Sequence, residues 1–428
     1  MPHGRRIGGW LEVQDQDHRG HDRALDGVCA PADARSMTTT AQPRTATTPS
    51  DHDTATGSLV ERARTIGPRL AEHATRHDVD GTFVTEAYEA LRDAGLLKAA
   101  VPLELGGEGA TIRELAALQR ELAHHCGATA LASSMHQHVV AFTAWRYRRG
   151  LPGAEATLRK VADDGLLLVS TGGGDFTHPR GEAVPVEGGY RVSGRKRFAS
   201  QSRHGSVMST MFVLDDAEQG RRVLNVAVPL AAAGVTVIDT WDTLGMRGTA
   251  SHDILLEDVF VPEDKVLANR PYGVIDPPLQ VIASVAFPII AGVYLGVAEA
   301  AYAEALGSAA ARPEDPSVQR TVGLMRHKLQ VAESALDGAL HVIGDDPTPS
   351  HDRFLAAMTA KAEIAHAGIE VVDLAMDVSG GPAFFTGSVI ERAYRDVRAA
   401  KFHPLTPEAT LLESGRQALG VPGLLAQA

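Results

Sequence analysis

Four histidines in one helical stretch are the first candidates for chemistry in this sequence. His124 and His125 are adjacent, whereas two histidines that bind one metal ion from a helix are spaced three or four residues apart. His136 and His138, in SSMHQH, are two residues apart. On a helix they point to different faces, so at most one of them can reach a given pocket. The sequence has no Cys/His cluster, and we therefore predict no metal site.

Glu408 is a second candidate, because a carboxylate close to a substrate can accept a proton. The preceding pair Thr406–Pro407 is typical of a helix N-cap followed by a proline at the first helical position. Capping and the helix dipole therefore also explain an acid at this place, and both interpretations stay open. The glycine run Gly172–Gly174 is not a dinucleotide-binding fingerprint, because no parallel βαβ unit surrounds it.

The elements that would position these residues change type twice along the chain. Apolar residues recur at helical spacing from Ser58 to about Gly150, with a break near Cys126–Gly127. Short apolar runs separated by turn residues then indicate strands. These runs are Leu166–Val169, Tyr190–Val192, Val207–Leu214, Val223–Val228, Val235–Ile238 and LGMRGTASHDILLEDVFVP (Leu244–Pro262), whose strand stops at Pro262. Helical periodicity returns from Leu279 to Gly420.

Composition and charge exclude several classes of protein. Of 428 residues, 44% are hydrophobic and 22% are charged, as in a globular protein with a large core. The net charge of −12 argues against nucleic-acid binding, and no run of about 18 apolar residues predicts a membrane span. We expect no disulfide between Cys29 and Cys126, the two cysteines, and therefore a cytoplasmic protein.

The first 57 residues differ from the rest of the chain. They are rich in Thr, Asp, Arg, Pro and Gly, and the segment Met37–Gly57 is close to low complexity. We therefore predict a disordered N-terminal arm over residues 1–57 with no secretory signal. A start of translation at Met37 instead of Met1 is a further hypothesis.

Three segments in this order resemble the acyl-CoA dehydrogenase superfamily. They are VPLELGGEG (Val101–Gly109), GYRVSGRKRFASQS (Gly189–Ser202) with the Leu244–Pro262 segment, and SGGPAFF…ERAYRDVRAAKFHP (Ser379–Pro404). The resemblance covers roughly Ser58 to Gly420 and implies an α+β fold. It implies an N-terminal α-helical domain over residues 58–160, a middle β-barrel or sandwich domain over 161–265, and a C-terminal four-helix-bundle domain over 266–428.

The resemblance implies a flavin, FAD or FMN, between the β-domain and the C-terminal helices of a homo-oligomer, usually a tetramer. It would place the strand KRFAS (Lys196–Ser200) beside the flavin, with Phe198 against the isoalloxazine ring and Ser200 near its N5/O4 edge, and Ser170 on a second flavin-facing strand. A flavin needs an apolar wall, hydrogen-bond partners and groups that hold its phosphates. The residues that the resemblance assigns to flavin binding are Ser170, Thr171, Phe198, Ser200, Arg312, Gly380 and Gly381.

The sequence departs from the dehydrogenases of this superfamily at the catalytic base. In those enzymes a glutamate follows the arginine–aspartate pair after a fixed interval and removes a proton from the substrate. Counted from Arg395–Asp396, this position holds Pro404, which cannot be a base. In a minority of members the base lies on the first helix of the bundle. Here that stretch reads IASVAFPII (Ile282–Ile290) and contains no acid.

A second departure concerns the segment that grips the flavin's pyrophosphate. The superfamily usually has an Arg-x-x-Phe-Gly signature there, and the matching stretch of this chain is RPEDPSVQ (Arg312–Gln319). The arginine is kept, but two acids and two prolines replace the rest, and acids repel a diphosphate. FMN is therefore an alternative to FAD.

His403 is the feature that points to a different branch of the superfamily. Flavin-dependent monooxygenases such as dibenzothiophene monooxygenase and the amino-sugar N-oxygenases have a histidine at this count. The branch also has a histidine on an early helix, matched here by His136 or His138. A neutral imidazole can donate a proton and take it back near neutral pH, which suits oxygen chemistry beside a flavin. The aspartate that usually follows in the branch is replaced by Pro404.

Three functions therefore compete. The favoured one is a monooxygenase that uses reduced flavin and O2 on a small organic substrate, with His403 and one of the two early histidines as catalytic residues. The alternative is an FAD-dependent acyl-CoA or acyl-carrier dehydrogenase with Glu408 as its base. The third is a flavin-binding protein without catalysis, because a fold does not dictate a function. A flavin reductase or an electron-transfer flavoprotein is the expected partner.

Overall fold

A computed structural model of the protein describes residues 57–425. The predicted disordered arm, with Cys29 and Met37, lies outside the described residues, apart from Gly57. The first part of the described chain is helical. Its helices are α1 (Leu59–Asp80), α2 (Thr85–Asp93), α3 (Ile112–His125), α4 (Gly127–Arg148) and α5 (Ala154–Asp164). The break predicted near Cys126–Gly127 is confirmed, because Cys126 is extended and separates α3 from α4.

The middle part forms an eight-stranded sheet. Its strands are β1 (Leu168–Ser170), β2 (Glu182–Val186), β3 (Gly189–Lys196), β4 (Val207–Asp216), β5 (Gly220–Pro229), β6 (Val235–Ile238), β7 (Asp253–Pro262) and β8 (Val266–Pro271). The order is β6-β7-β3-β2-β4-β5-β8, and β1 pairs in parallel with β4. β7 ends at Pro262, as predicted. The sequence did not predict β2 or β8, because β2 is exposed at four of five positions and β8 also has few buried side chains.

The last part returns to helices: α6 (Pro277–Ala309), α7 (Pro316–Ile343), α8 (His351–Ser379), α9 (Val389–Asp396) and α10 (Pro407–Leu419). Among the described residues, α6 alone has the length and hydropathy of a membrane span, but 94% of its most apolar window is buried inside the protein. A side chain at Gly292 or Gly296 would collide with backbone carbonyls of α3, so these glycines allow α3 to pack directly on α6.

The predicted α+β fold class, with helices, then a sheet, then helices, is confirmed. The first and last helical parts share one hydrophobic core, in which α6 packs on α3, α4 and α8. The sheet has a separate core between its strands. The ligand-sized cavity described below lies at the boundary between these two cores.

Candidate active site

A cavity of about 640 Å³ lies between the sheet, helices α4 and α6, and the chain that follows α9. This volume is in the range of sites for small molecules and cofactors. Much of its lining is apolar, and the apolar side chains include Leu131, Met135, Phe198, Trp241, Ala286, Phe287, Ile290 and Phe402. Three of these come from the acid-free stretch IASVAFPII of α6. Among the lining residues, the only carboxylate is that of Asp175, and its Oδ2 is 3.0 Å from Nζ of the buried Lys196.

Phe198 projects into this cavity from the β-domain. The resemblance placed it on a strand, but β3 ends at Lys196, and Phe198 follows in the left-handed conformation with φ of +58°. This unusual backbone leaves its ring 60% exposed, in edge-to-face contact with Trp241 at 5.9 Å between centroids. The two rings provide an aromatic wall for a flat ligand.

Ser200 lies at the end of a chain of hydroxyl groups. Its Oγ is 2.8 Å from Ser251 Oγ, which is 2.7 Å from Thr249 Oγ1, and the Thr249 hydroxyl donates to the carbonyl of Met246 at 2.8 Å. Because Thr249 donates to that carbonyl, Ser251 donates to Thr249 and Ser200 donates to Ser251. Ser200 therefore presents lone pairs to the cavity and can accept a hydrogen bond from a bound ligand.

Ser170 and Thr171 lie at the end of β1 and also line the cavity. The Ser170 hydroxyl is 3.7 Å from the sulfur of Met135, a weak acceptor, and remains available to a stronger one. Thr171 is buried and donates to Thr210 Oγ1 at 2.6 Å. Of this pair, Ser170 is therefore the better placed to bind a ligand through its side chain.

His136 and His138 have different environments on α4. His136 is fully buried, with its Nδ1 accepting from the Leu168 amide at 3.0 Å and its Nε2 donating to the Leu97 carbonyl at 2.8 Å. Both of its ring nitrogens are occupied by backbone, and it does not line the cavity. His138 does line the cavity. Its Nδ1 donates to the Ser134 carbonyl at 3.0 Å, which leaves Nε2 as an acceptor.

His403 lies across the cavity from α4, in the chain that follows α9. Its Nε2 is 2.6 Å from the hydroxyl of Tyr294, which is buried in α6. That hydroxyl has no other partner among the described residues, so it donates to Nε2 and leaves the proton of His403 on Nδ1. Lys361, 2% exposed on α8, donates to the carbonyls of His403 and Leu405 and fixes this segment.

These environments keep both cavity histidines neutral. Burial lowers the pKa of His138 to about 4. Burial, followed by the nearby charge of Lys361 and that of His138, lowers the pKa of His403 to about 3. Burial also lowers the pKa of the Lys361 ammonium to about 8. At neutral pH the cavity therefore holds one imidazole that can donate, His403, and one that can accept, His138.

Neither Pro404, which stands at the position of the usual base, nor the nearby Glu408 provides a base to the cavity. Pro404 lines the cavity and packs on Gly173, where any side chain would collide with the proline ring. Glu408 is exposed in the first turn of α10 and does not line the cavity. The predicted cap is present, because Thr406 Oγ1 accepts from the Ala409 amide at 3.3 Å.

Arg312, Gly380 and Gly381 lie apart from the other predicted flavin residues. The Arg312 side chain is exposed and donates to the carbonyl of Val378 at 2.7 Å, close in sequence to the two glycines. None of the three lines the cavity. Asp315, one of the acids in this segment, caps the N-terminus of α7 through the Ser317 amide. Within one chain, the structure thus forms two separate groups of candidate flavin residues.

Sequence reasoning missed Tyr294 and Lys361. A lone lysine among apolar residues of a helix, in AAMTAKAEIAHAG, was a signal that Lys361 is buried, but its contacts with His403 join positions 42 residues apart. Tyr294 lies in the most apolar helix of the chain and is 109 residues from its histidine partner. Neither pairing follows from local spacing.

Comparison with known proteins places this fold and cavity in a family. Residues 59–150 match the acyl-CoA dehydrogenase N-terminal domain, residues 170–259 its middle domain and residues 288–408 its C-terminal domain. The chain is 28% identical to L-evernosamine nitrososynthase of Micromonospora sp. (strain ATCC 39149 / NRRL 15099 / SCC 1413), over 81% of this chain and 86% of that protein. It is also 28% identical to the putative acyl-CoA dehydrogenase YdbM of Bacillus subtilis (strain 168), over 82% and 94%.

Two further similarities concern oxygen-using and FMN-bound proteins. The chain is 28% identical to dibenzothiophene monooxygenase of Rhodococcus erythropolis, over 82% of this chain and 91% of that protein. Its structure resembles that of KijD3 in complex with FMN and dTDP-3-amino-2,3,6-trideoxy-4-keto-3-methyl-D-glucose. The TM-score is 0.78 at 28% identity, and the match covers 86% of this chain and 94% of KijD3.

The cavity fits an isoalloxazine ring, because Phe198 and Trp241 offer an aromatic wall and the hydroxyls of Ser170 and Ser200 offer hydrogen bonds. The fold, this cavity and the comparisons define a flavin-dependent oxidoreductase. The chain belongs to the acyl-CoA dehydrogenase superfamily, and the prediction of this superfamily from the three segments is confirmed.

Proposed function

We propose that the protein is a monooxygenase that inserts one atom of O2 into a small organic substrate at the expense of reduced flavin. Reduced flavin supplies two electrons, the second oxygen atom leaves as water, and the flavin is released in its oxidised form. The observation that carries the proposal is the lack of a free carboxylate among the described residues that line the cavity. Asp175, its one acid, is neutralised by Lys196, so no lining group matches the proton-abstracting base of a dehydrogenase.

The proposed roles of the two cavity histidines follow from their hydrogen bonds. Tyr294 occupies Nε2 of His403, so the protonated Nδ1 can donate to an oxygen atom at the reacting centre. His138 retains a free Nε2 that can accept a proton from the substrate or from water. Because both pKa values lie well below 7, neither ring carries a fixed charge before the reaction.

The β-domain has a binding role in the proposal. Phe198 and Trp241 would pack against the flavin ring, and Ser200, whose own proton is used by Ser251, would accept from a ring N–H group. Arg312, Gly380 and Gly381 would hold the tail of a flavin in a neighbouring subunit, because none of them lines the cavity of its own chain.

Dehydrogenation of an acyl thioester is the alternative, favoured by the similarity to YdbM. It needs a base, and Glu408 is the nearest acid to the usual place in the sequence. In the structure Glu408 is exposed and lies off the cavity lining, so it does not face a substrate bound there. The substitution Glu408→Gln therefore discriminates: the monooxygenase should keep its activity within about twofold, because exposed substitutions remote from a site have small effects.

The proposal also includes a partner protein, a cellular location and an oligomeric state. A flavin reductase would supply the reduced flavin, and the protein would work in the cytoplasm as a homotetramer. Phe384 and Phe385 follow closely after Gly380 and Gly381, two of the residues proposed to hold the flavin tail. They are 82% and 73% exposed, and large exposed apolar side chains suit a subunit contact. Light scattering of the purified protein measures its mass, and a monomeric protein would contradict the tetramer.

An oxygen electrode tests the proposed reaction. The protein should form an oxygenated product only with FMNH2 or FADH2, O2 and substrate present, with O2 uptake above that of the free reduced flavin, and its oxidised flavin should not be bleached when an acyl-CoA is added without oxygen. Anaerobic bleaching by an acyl-CoA would contradict the monooxygenase in favour of the dehydrogenase. Flavin binding without either reaction would leave the non-catalytic alternative.

A further inference from the structure

The cavity carries positive charge, although the protein as a whole has a net charge of −12. Four arginines line it, namely Arg180, Arg197, Arg395 and Arg398. Two of them have acidic partners outside the lining: Arg395 contacts Asp78 and Glu391 at 2.5 Å each, and Arg398 is 2.9 Å from Asp373. The charges of these two arginines are thus already balanced by the protein.

Arg180 and Arg197 differ from the other two. Both are exposed at the β-domain side of the cavity, and neither guanidinium has a hydrogen bond or an ion pair with any residue between 57 and 425. The only acid of the lining, Asp175, is paired with Lys196. Two positive charges therefore face the cavity without a counter-charge from the described protein.

The buried side chain of Lys196 holds the backbone segments that carry these two arginines. The buried ammonium of Lys196 donates to the carbonyl of Arg180 and to Asp175, and Arg197 is the next residue along the chain. Gly181 and Gly194 bring the two segments into direct backbone contact, because a Cβ at Gly181 would be 2.5 Å from the Ser193 carbonyl oxygen. One buried lysine thus holds both arginines at the same edge of the cavity.

From this arrangement we propose that Arg180 and Arg197 form a subsite for an anionic group, a phosphate or a carboxylate, on a ligand of this cavity. Guanidinium groups bind such anions through paired, charge-assisted hydrogen bonds. Two uncompensated arginines at a cavity mouth also attract an anion from solution. The anion belongs either to the substrate or to the phosphate of the flavin. The inference rests on the proposed function, because it takes the cavity to be the site of both ligands.

Binding measurements on the variants Arg180→Gln, Arg197→Gln and the double variant test this subsite. Pyrophosphate is titrated by calorimetry into protein loaded with oxidised FMN, and FMN and riboflavin are titrated separately by fluorescence. Each single substitution should weaken binding of the relevant anion about tenfold, as expected for loss of a hydrogen bond to a charged group. Added salt should weaken binding to the unsubstituted protein more than to the double variant.

The arms of the experiment identify the source of the anion. Weaker pyrophosphate binding with unchanged FMN binding assigns the subsite to the substrate. Weaker FMN binding with unchanged riboflavin binding assigns it to the flavin phosphate. Equal affinities of all variants for all three probes would overturn the subsite. Failure of the unsubstituted protein to bind FMN and riboflavin would contradict the proposed function instead, and pyrophosphate titrated into the flavin-free protein would then report on the arginines.

Arg191→Gln is the matched control. Arg191 is an exposed arginine on β3, five residues before Lys196, but it pairs with Asp258 and does not line the cavity. Its substitution removes the same charge from the strand that leads to Arg197 and should leave all three affinities unchanged. A loss equal to that of Arg197→Gln would show that overall charge, rather than this subsite, determines binding, and would contradict the proposal.

Discussion

The two sides of the cavity are built on different principles. On the β-domain side, Phe198, Arg180 and Arg197 are exposed, and the two arginines have no ion pair within the described part of the chain. On the helical side, His403 and Arg395 are held by protein partners, Tyr294 and Asp78 among them. The sheet therefore offers surface that a ligand can complete, whereas the helices present groups already oriented before a ligand arrives.

This difference assigns binding to the sheet and proton handling to the helices. Preorganised polar groups are effective in catalysis because they need no rearrangement during the reaction. Uncompensated charge and exposed aromatic surface gain most when a ligand covers them. Substitutions on the helical side should therefore change the rate of the reaction, and those on the sheet side should change affinity.

The strongest test of the helical side is His403→Gln. Removal of a positioned proton donor should lower the rate of product formation roughly 100-fold, a typical loss for general acid–base groups. Flavin affinity, measured by fluorescence, should change little because the binding surface is on the sheet. Reduced-flavin oxidation and product are measured together, since uncoupled oxidation reports loss of the donor. A variant with full coupled activity would show that the two sides do not divide the work in this way.

His136→Ala tests whether the two histidines of α4 have different roles, His136 in stability and His138 in activity. It should destabilise the protein by about 2–4 kcal/mol, because the Leu97 carbonyl and the Leu168 amide would be left buried without partners. His138→Ala is the control and should lower activity with a smaller loss of stability. Urea unfolding followed by circular dichroism measures both variants. Equal destabilisation by the two substitutions would contradict the different roles of His136 and His138.

The buried histidines should also make the protein less stable in acid. Burial lowers the pKa of His136 and His138 to about 4 and that of His403 to about 3, whereas the unfolded chain binds these protons near pH 6.5. Stability is therefore full above pH 6.5 and falls by roughly 1.4 kcal/mol per histidine per pH unit as the pH decreases. Burial raises the pKa of Asp396 to about 6, so the folded protein binds a proton at this carboxyl group more readily than the unfolded chain does. As the pH decreases, this proton partly offsets the loss of stability caused by the histidines.

Urea unfolding at pH 7 and pH 5 measures this dependence. Among the described residues, histidines with a lowered pKa outnumber the carboxyl groups with a raised pKa, which are Asp276 and Asp396, so the free energy of unfolding should be lower at pH 5. His138→Gln should make the difference smaller, since a glutamine does not take up a proton. A protein that is equally stable at both values would contradict the neutral state assigned to these rings.

Lys361→Met should have a smaller effect than His403→Gln, about a tenfold loss of activity, because Lys361 acts through the backbone and pKa of His403 rather than by contact with a ligand. Loss of the neighbouring positive charge should raise the pKa of His403, so the acid limb of the pH–rate profile should move to higher pH. Lys361→Arg keeps the charge and is the control. A lower rate with an unmoved acid limb in Lys361→Met would assign Lys361 to packing alone.

Local sequence predicted a large part of the fold. Three features follow from short-range conformational preferences. Cys126 is extended and breaks the helix, and β7 ends at Pro262 because proline limits strand pairing. The hydroxyl of Thr406 caps α10, as expected for a threonine before a helix. The strand placed at Phe198 was wrong at its end, because a left-handed turn stops β3 at Lys196. A local pattern cannot predict that conformation for a phenylalanine, for which it is rare.

The amino-acid sequence by itself determined the order of helices, strands and helices, the family, and the replacement of an acid by Pro404. These depend on periodicity and on residue identity at fixed intervals. Tertiary structure alone decided that His138 faces the cavity while His136 is bound to backbone, that Tyr294 and Lys361 hold His403, and that the side chains of Arg180 and Arg197 have no partner among residues 57–425. The reason is that hydrogen bonding and burial depend on neighbours brought together from distant parts of the chain, and such distances are not encoded in local spacing.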